Sequence, residues 1–190
     1  MNNLLILASQ SPRRKQLLEW AEIPFEVIVH DTDESYPPSL DAESVPEFIA
    51  QAKALAVLES LPSGDKGRPL LAADTVVVLD GDIIGKPKDR EDAISILRRL
   101  SGREHRVITG VFLLLQGRKI SFADITRVSF HTLTDEQIVF YVDKYKPYDK
   151  AGAYAIQEWI GVVGIRAIDG DFYNVMGLPV SRVVQALGAY

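Results

Sequence analysis

The chain contains no cysteine. Disulfides, thiolate nucleophiles and cysteine zinc sites are therefore excluded, and a reducing, cytoplasmic setting is the expectation. No apolar run approaches the roughly 20 residues that cross a bilayer, so no membrane partner is expected. The apolar start, Leu4 to Ala8, lacks a basic flank and a small-residue cleavage site, and it reads as a strand rather than a signal peptide. Neither GxxxxGKS/T nor GxGxxG occurs, which removes the main support for P-loop and Rossmann readings. His30, His105 and His131 are scattered, with no HxxxH or HExxH spacing, and read as structural. There is no internal repeat and no low-complexity tract. A basic excess is missing too. The net charge is -5 and the pI about 5.2, so no nucleic-acid partner is expected, although a few converging basic residues can still hold a small anion.

What remains is an ordinary globular composition, with 47% hydrophobic and 25% charged residues in 190. That length suits one domain over 1–190, or two lobes sharing a core. The pattern predicts strands at 4–8 and 25–29 and helices near 12–21, 44–60, 89–100, 134–145 and 179–187. It also predicts three hairpins, through Asp80-Gly81, near Gly117 and through Asp169-Gly170. Segments 30–39 and 63–69 read as loops, and 146–157 has no clear period. Interleaved helices and strands with antiparallel hairpins imply an α/β fold, a mixed twisted sheet with flanking helices.

Several residues sit awkwardly in this plan. Ser11 before Pro12 is a strong helix start. Yet Arg13 and Arg14 fill the first turn, where the positive end of the helix dipole disfavours cations. Helical spacing places Arg14 among Leu17, Leu18 and Ala21 on the apolar side, with Arg13 near Leu17. Either the pair is solvated, or an anion resolves the conflict. In the second case the helix start, two guanidiniums and the hydroxyls of Ser9 and Ser11 form a phosphate cradle. Asp74 lies in the apolar strand AADTVVV, where a carboxylate needs a partner, a metal or a backbone amide. Thr75 beside it is β-branched and suits a strand. Lys53, on a helix among alanines, and Lys86, in the turn GKP, are either solvated or phosphate ligands. Glu34 in the acidic loop is either solvated or a ligand for a hard cation. Asp149 with Lys150 reads as a surface pair, and Gln157 as an incidental polar residue. Two arginines, two lysines and two carboxylates are the inventory for metal-assisted hydrolysis of a phosphate anhydride.

Motifs in order along nearly the whole chain resemble the Maf family of nucleoside triphosphate pyrophosphatases. They are LASQSPRR (7–14), the acidic loop ending at Glu34, AK (52–53), ADTVV (73–77), GKP (85–87), DKAGAYAIQ (149–157) and NVMGLPV (174–180). The resemblance implies two lobes around a deep cleft, a fold similar to the inosine triphosphatases, and often a homodimer. It implies hydrolysis of a nucleotide between the α and β phosphates with Mg²⁺ or Mn²⁺. Asp74 matches the family's proton acceptor, and Ser9, Arg13, Arg14, Glu34, Lys53 and Lys86 match its other active-site positions. On this reading Glu34 and Asp74 bind the metal. Asp74, Lys53 and Lys86 carry the catalysis, while Ser9, Ser11, Arg13, Arg14, Thr75 and Gln157 bind substrate. Arg13, Thr75 and Gln157 match the branch acting on dTTP and UTP, where the branch acting on 7-methyl-GTP resembles a pattern of tryptophan, glutamine and glutamate. A glutamine amide, with one donor and one acceptor, suits a uracil or thymine edge. Gln10, Glu158 and Trp159 depart from the family's pattern. The rival expectations are a non-catalytic nucleotide-binding regulator of septum formation, a pyrophosphatase acting on 7-methyl-GTP or on inosine or xanthosine triphosphate, and a phosphotransferase.

Overall fold

The computed structural model describes residues 4–188. Its strands are β1 (Leu5–Leu7), β2 (Phe25–Val27), β3 (Leu70–Leu79), β4 (Asp82–Ile84), β5 (Glu104–Leu115), β6 (Arg118–Phe130) and β7 (Ile165–Asp169). The helices are α1 (Pro12–Trp20), α2 (Val45–Ser60), α3 (Arg90–Leu100), α4 (Asp135–Tyr145), α5 (Trp159–Gly164), α6 (Phe172–Met176) and α7 (Val180–Leu187). The strands form one mixed sheet in the order β2-β1-β3-β5-β6-β7, with β4 paired to β3. β1 is parallel to both β2 and β3, whereas β3–β4 and β6–β7 are antiparallel. The expected α/β class and mixed sheet are therefore what the chain adopts. Among the described residues no helix is long and apolar enough to cross a membrane.

The chain divides into two compact units, and the division falls inside β3, β5 and β6. The first holds 1–74, 109–124 and 177–190; the second holds 75–108 and 125–176. In the first unit, strand alternation sends Ile6 and Ala8, Leu70 and Ala72, and Phe112 and Leu114 to one face. There they pack with Ala50, Ala54, Val57 and Leu61 of α2 and its C-terminal end. The small alanines let the helix lie close to the strands. At Gly110 the approach is closest, since a Cβ there would stand 2.1 Å from the Glu47 nitrogen.

In the second unit, Asp80 and Gly81 take φ of 55° and 91°, as the tight β3–β4 hairpin requires. Asp89 caps α3 by accepting from the Asp92 nitrogen, and Thr134 and Gln137 form a reciprocal cap on α4. The hairpin expected over 162–177 does not form. Val162 and Val163 belong to α5, only 165–169 is strand, and 172–176 is helical. β7 pairs with β6, Val128 opposite Ile168. Asp169 is not among the residues with positive φ, which a two-residue Asp-Gly hairpin turn requires. Asp171 instead accepts from the Tyr173 nitrogen (2.8 Å) and starts α6. The β-branched pair at 162–163 mimicked a strand, but the antiparallel partner of β7 is β6.

Candidate active site

In the first unit, the site grows from the carboxyl end of β1. β1 lies between two parallel neighbours, the arrangement whose strand ends commonly open onto ligands in α/β sheets. Just past it, Ser9 Oγ accepts from the Ser11 backbone N–H (3.2 Å). Ser11 caps α1, accepting from the Arg14 nitrogen at the long distance of 3.5 Å. Arg14 itself turns inward. Its Nε donates to the Gly177 carbonyl (2.8 Å) and one terminal nitrogen donates to Ser9 Oγ (3.2 Å). Gly177 has a φ of 119°, which favours glycine, so that carbonyl is aimed by a backbone few other residues adopt. Burial pushes the Arg14 guanidinium below its ordinary value. The Asp74 carboxylate opposes that shift, Arg13 adds to it, and Glu34 opposes it. Arg13 is half-buried beside it.

Asp74 follows Leu70 and Ala72 on the face that α2 covers. Lys53 shares the helical stripe of Ala50, Ala54 and Val57. The two therefore meet: Lys53 Nζ donates to Asp74 Oδ1 at 2.7 Å. The same ammonium stands 2.7 Å from Glu34 Oε1. Glu34 reaches in from a loop shaped locally by Asp33, whose carboxylate accepts from the backbone and hydroxyl of Ser35. The side chains of Lys53 and Asp74 are 18% and 14% exposed and that of Glu34 49%, so solvent reaches the cluster mainly on the Glu34 side. Arg13, Arg14 and Lys53 outnumber the two carboxylates, and the balance of charge favours an anion.

Two carboxylate oxygens converging on one ammonium can equally converge on a hard divalent cation. Among the described residues no group of three or more histidine, cysteine or acidic side chains forms a metal cage. The donor set of Glu34 and Asp74 is of the kind Mg²⁺ takes, one or two carboxylates with the shell completed by water and phosphate oxygens.

The second unit carries Thr75, Lys86 and Gln157. Thr75 is half-buried on β3, while Lys86 and Gln157 are exposed. The segments bearing the last two are tied together, because the Gly152 N–H donates to the Gly85 carbonyl (3.2 Å). Gly152 has a φ of 70° and lies against Val77, where a Cβ would come within 2.9 Å of a methyl. The run AGA is thus built for close packing on β3, the strand that presents Thr75.

A family model described as Maf-like protein matches residues 4–190. The chain belongs to the Maf family. Among Maf relatives, a "dTTP/UTP pyrophosphatase" of Parabacteroides distasonis is 47% identical over 184 residues, 96% of this chain and 94% of that protein. One of Porphyromonas gingivalis with the same name is 49% identical over 184 residues, 96% of this chain and 92% of its own. The solved Ham1 protein of Staphylococcus aureus covers 96% of this chain and 98% of its own, with a TM-score of 0.51 and 16% identity. That likeness is one of fold.

Sequence reasoning missed the Gly177 carbonyl that holds Arg14. The motif NVMGLPV carried the signal, as a glycine conspicuous within an apolar run.

Proposed function

We propose that this Maf protein hydrolyses dTTP and UTP to the monophosphate and pyrophosphate. The observation that carries the reading is the cluster Glu34–Lys53–Asp74 beside buried Arg14. It joins a carboxylate able to take a proton to cations able to hold phosphates. The names of the relatives support the same reaction and the same substrates.

In this mechanism, Asp74 accepts a proton from the water that attacks the α phosphorus, and the bond to the oxygen bridging the α and β phosphates breaks. Lys53 holds the Asp74 carboxylate in place by its hydrogen bond. Arg14, positioned by Gly177 and Ser9, neutralises phosphate charge together with Arg13, Lys86 and the hydroxyls of Ser9 and Ser11. Glu34 and Asp74 would hold a Mg²⁺ or Mn²⁺, which when bound would supply charge neutralisation and orientation of the triphosphate. Thr75 and Gln157 recognise the base. Gln157 pairs its amide with the uracil or thymine edge, and a base of the wrong pattern leaves it unpaired. The protein works in the cytoplasm on free nucleotide, without membrane or nucleic acid, as a homodimer.

The test is pyrophosphate release from dTTP, UTP, CTP, ITP, GTP and 7-methyl-GTP with Mg²⁺ and Mn²⁺. Turnover should be greatest on dTTP and UTP, and Asp74→Asn should lower kcat by about 10²–10⁴-fold, the usual weight of a general base. Selective turnover of ITP or 7-methyl-GTP would overturn the pyrimidine assignment. An active Asp74→Asn would remove Asp74 as the base.

A further inference from the structure

Gln157 is exposed, but the backbone on either side of it is held. The Ala155 N–H donates to Tyr141 Oη (3.1 Å), and the same hydroxyl donates to Glu158 Oε2. Tyr141 is fully buried on α4 and stacks on Tyr145 with ring centroids 5.0 Å apart. On the other side of Glu158, the Lys150 ammonium stands 3.7 Å from Oε1. Gly161 presses on the residue before Gln157, where a Cβ would stand 1.7 Å from the Ile156 oxygen. All of these groups lie in the second unit.

We infer that Tyr141 and Glu158 clamp the segment 155–158 and so set the base selectivity of this chain. The inference rests on the reading of Gln157 as the residue that recognises the base. Tyr141 and Glu158 are positioning residues, acting through Gln157. An amide rejects the wrong base only if it cannot move to pair with it, because rejection comes from the groups left unpaired. A hydroxyl bonded to residue 155 on one side and residue 158 on the other spans Gln157 and limits that movement. The phosphate chemistry at Asp74 draws on other residues, so the clamp affects KM and base preference rather than turnover at saturation.

The experiment compares Tyr141→Phe, Glu158→Ala and the double variant with the unmodified protein. It measures kcat and KM for UTP and CTP, and amide exchange over 154–158. Each single variant should lower the UTP-over-CTP ratio of kcat/KM by about tenfold, through KM, with kcat for UTP nearly unchanged. The double variant should be no worse than the worse single one, because both substitutions break the same bond. Amide exchange over 154–158 should accelerate while that of α3 stays slow. Unchanged selectivity and exchange in both single variants would overturn the clamp. So would an equal loss on both nucleotides accompanied by a fall in Tm. Gln157→Ala, run in parallel, separates the two claims. If it retains the UTP preference, the base-reading role of Gln157 fails and the inference with it. If it loses the preference while the clamp variants keep it, only the clamp fails. Absence of turnover by the unmodified protein would overturn both.

Discussion

Arg14 carries a full charge on a residue only 9% exposed. Its donors reach the Gly177 carbonyl and Ser9 Oγ among others, and burial works against its charge. Such a group is costly to the fold and useful to an anionic ligand. Arg14→Met relieves the buried charge but takes one donor from the Gly177 carbonyl and one from Ser9 Oγ, two effects that oppose each other. Thermal unfolding should therefore move by only a few degrees, by about the 1–3 kcal/mol of an unpaired polar group at most. KM for dTTP should rise at least about tenfold, the weight of one charge-assisted contact. Unaltered kinetics would remove Arg14 from the substrate site. His105 makes a different case. Its Nε2 meets Tyr154 Oη at 2.7 Å, and burial pushes its pKa down from 6.5 to about 4. The folded state thus keeps the ring neutral. Its contribution is complete above pH 6.5 and is lost as the pH falls towards 4, by up to about 3 kcal/mol. Urea unfolding at pH 7 and pH 4.5 should show a smaller difference for His105→Phe than for the unmodified protein; equal differences would exclude this ring as the source.

At the scale of elements, α2 and β3 make the candidate catalytic cluster. Their contact depends on small residues, which bring the Lys53 stripe within reach of Asp74. Gly110 on β5 lies where α2 begins, and a methyl there collides with the backbone of Pro46 and Glu47. Backbone cannot rotate away as a side chain can. Gly110→Ala should destabilise the protein by about 1–3 kcal/mol or more. It should also lower kcat/KM, because displacing α2 moves Lys53. A Tm and a kcat/KM both equal to those of the unmodified protein would show that α2 absorbs the methyl without shifting. At the other end of the size range, α5 and α6 have only six and five residues. Helices that short are set by tertiary packing rather than by propensity. That is why the pattern over 162–177 points to a hairpin that does not form, whereas α1, α2, α3, α4 and α7 lie within about two residues of where capping and periodicity predict them.

For the whole molecule, charge decides how the substrate is held. A chain of net charge -5 has no general attraction for a triphosphate. On the proposed reading, binding comes from the local cations and from a divalent ion brought with the nucleotide. A non-hydrolysable dUTP analogue with Mg²⁺ should raise the Tm, by the equivalent of about 2.7 kcal/mol at a hundredfold excess over Kd. With EDTA in place of Mg²⁺ the shift should largely vanish, and turnover with it. An equal shift in EDTA would show that the arginines and lysines suffice without the metal.

Much of this protein is local and therefore written in the order of its residues. Ser11-Pro12 starts a helix, and Asp80-Gly81 and Gln116-Gly117 turn hairpins, because caps and left-handed backbone are short-range effects. Asp74 and Arg14 stood out for the same reason, as charged groups at apolar positions. Tertiary structure alone decided what those charges meet. Lys53 pairs with Asp74 across 21 residues, because sheet alternation and the stripe of α2 place both on one packed face. Arg14 finds the Gly177 carbonyl 163 residues away, a partner no local pattern can name. Tyr141 bonds both sides of Gln157 only because α4 buries its ring beneath that segment. Period and capping act over a few residues, but a partner for a buried polar group is whichever donor or acceptor packing brings within about 3 Å.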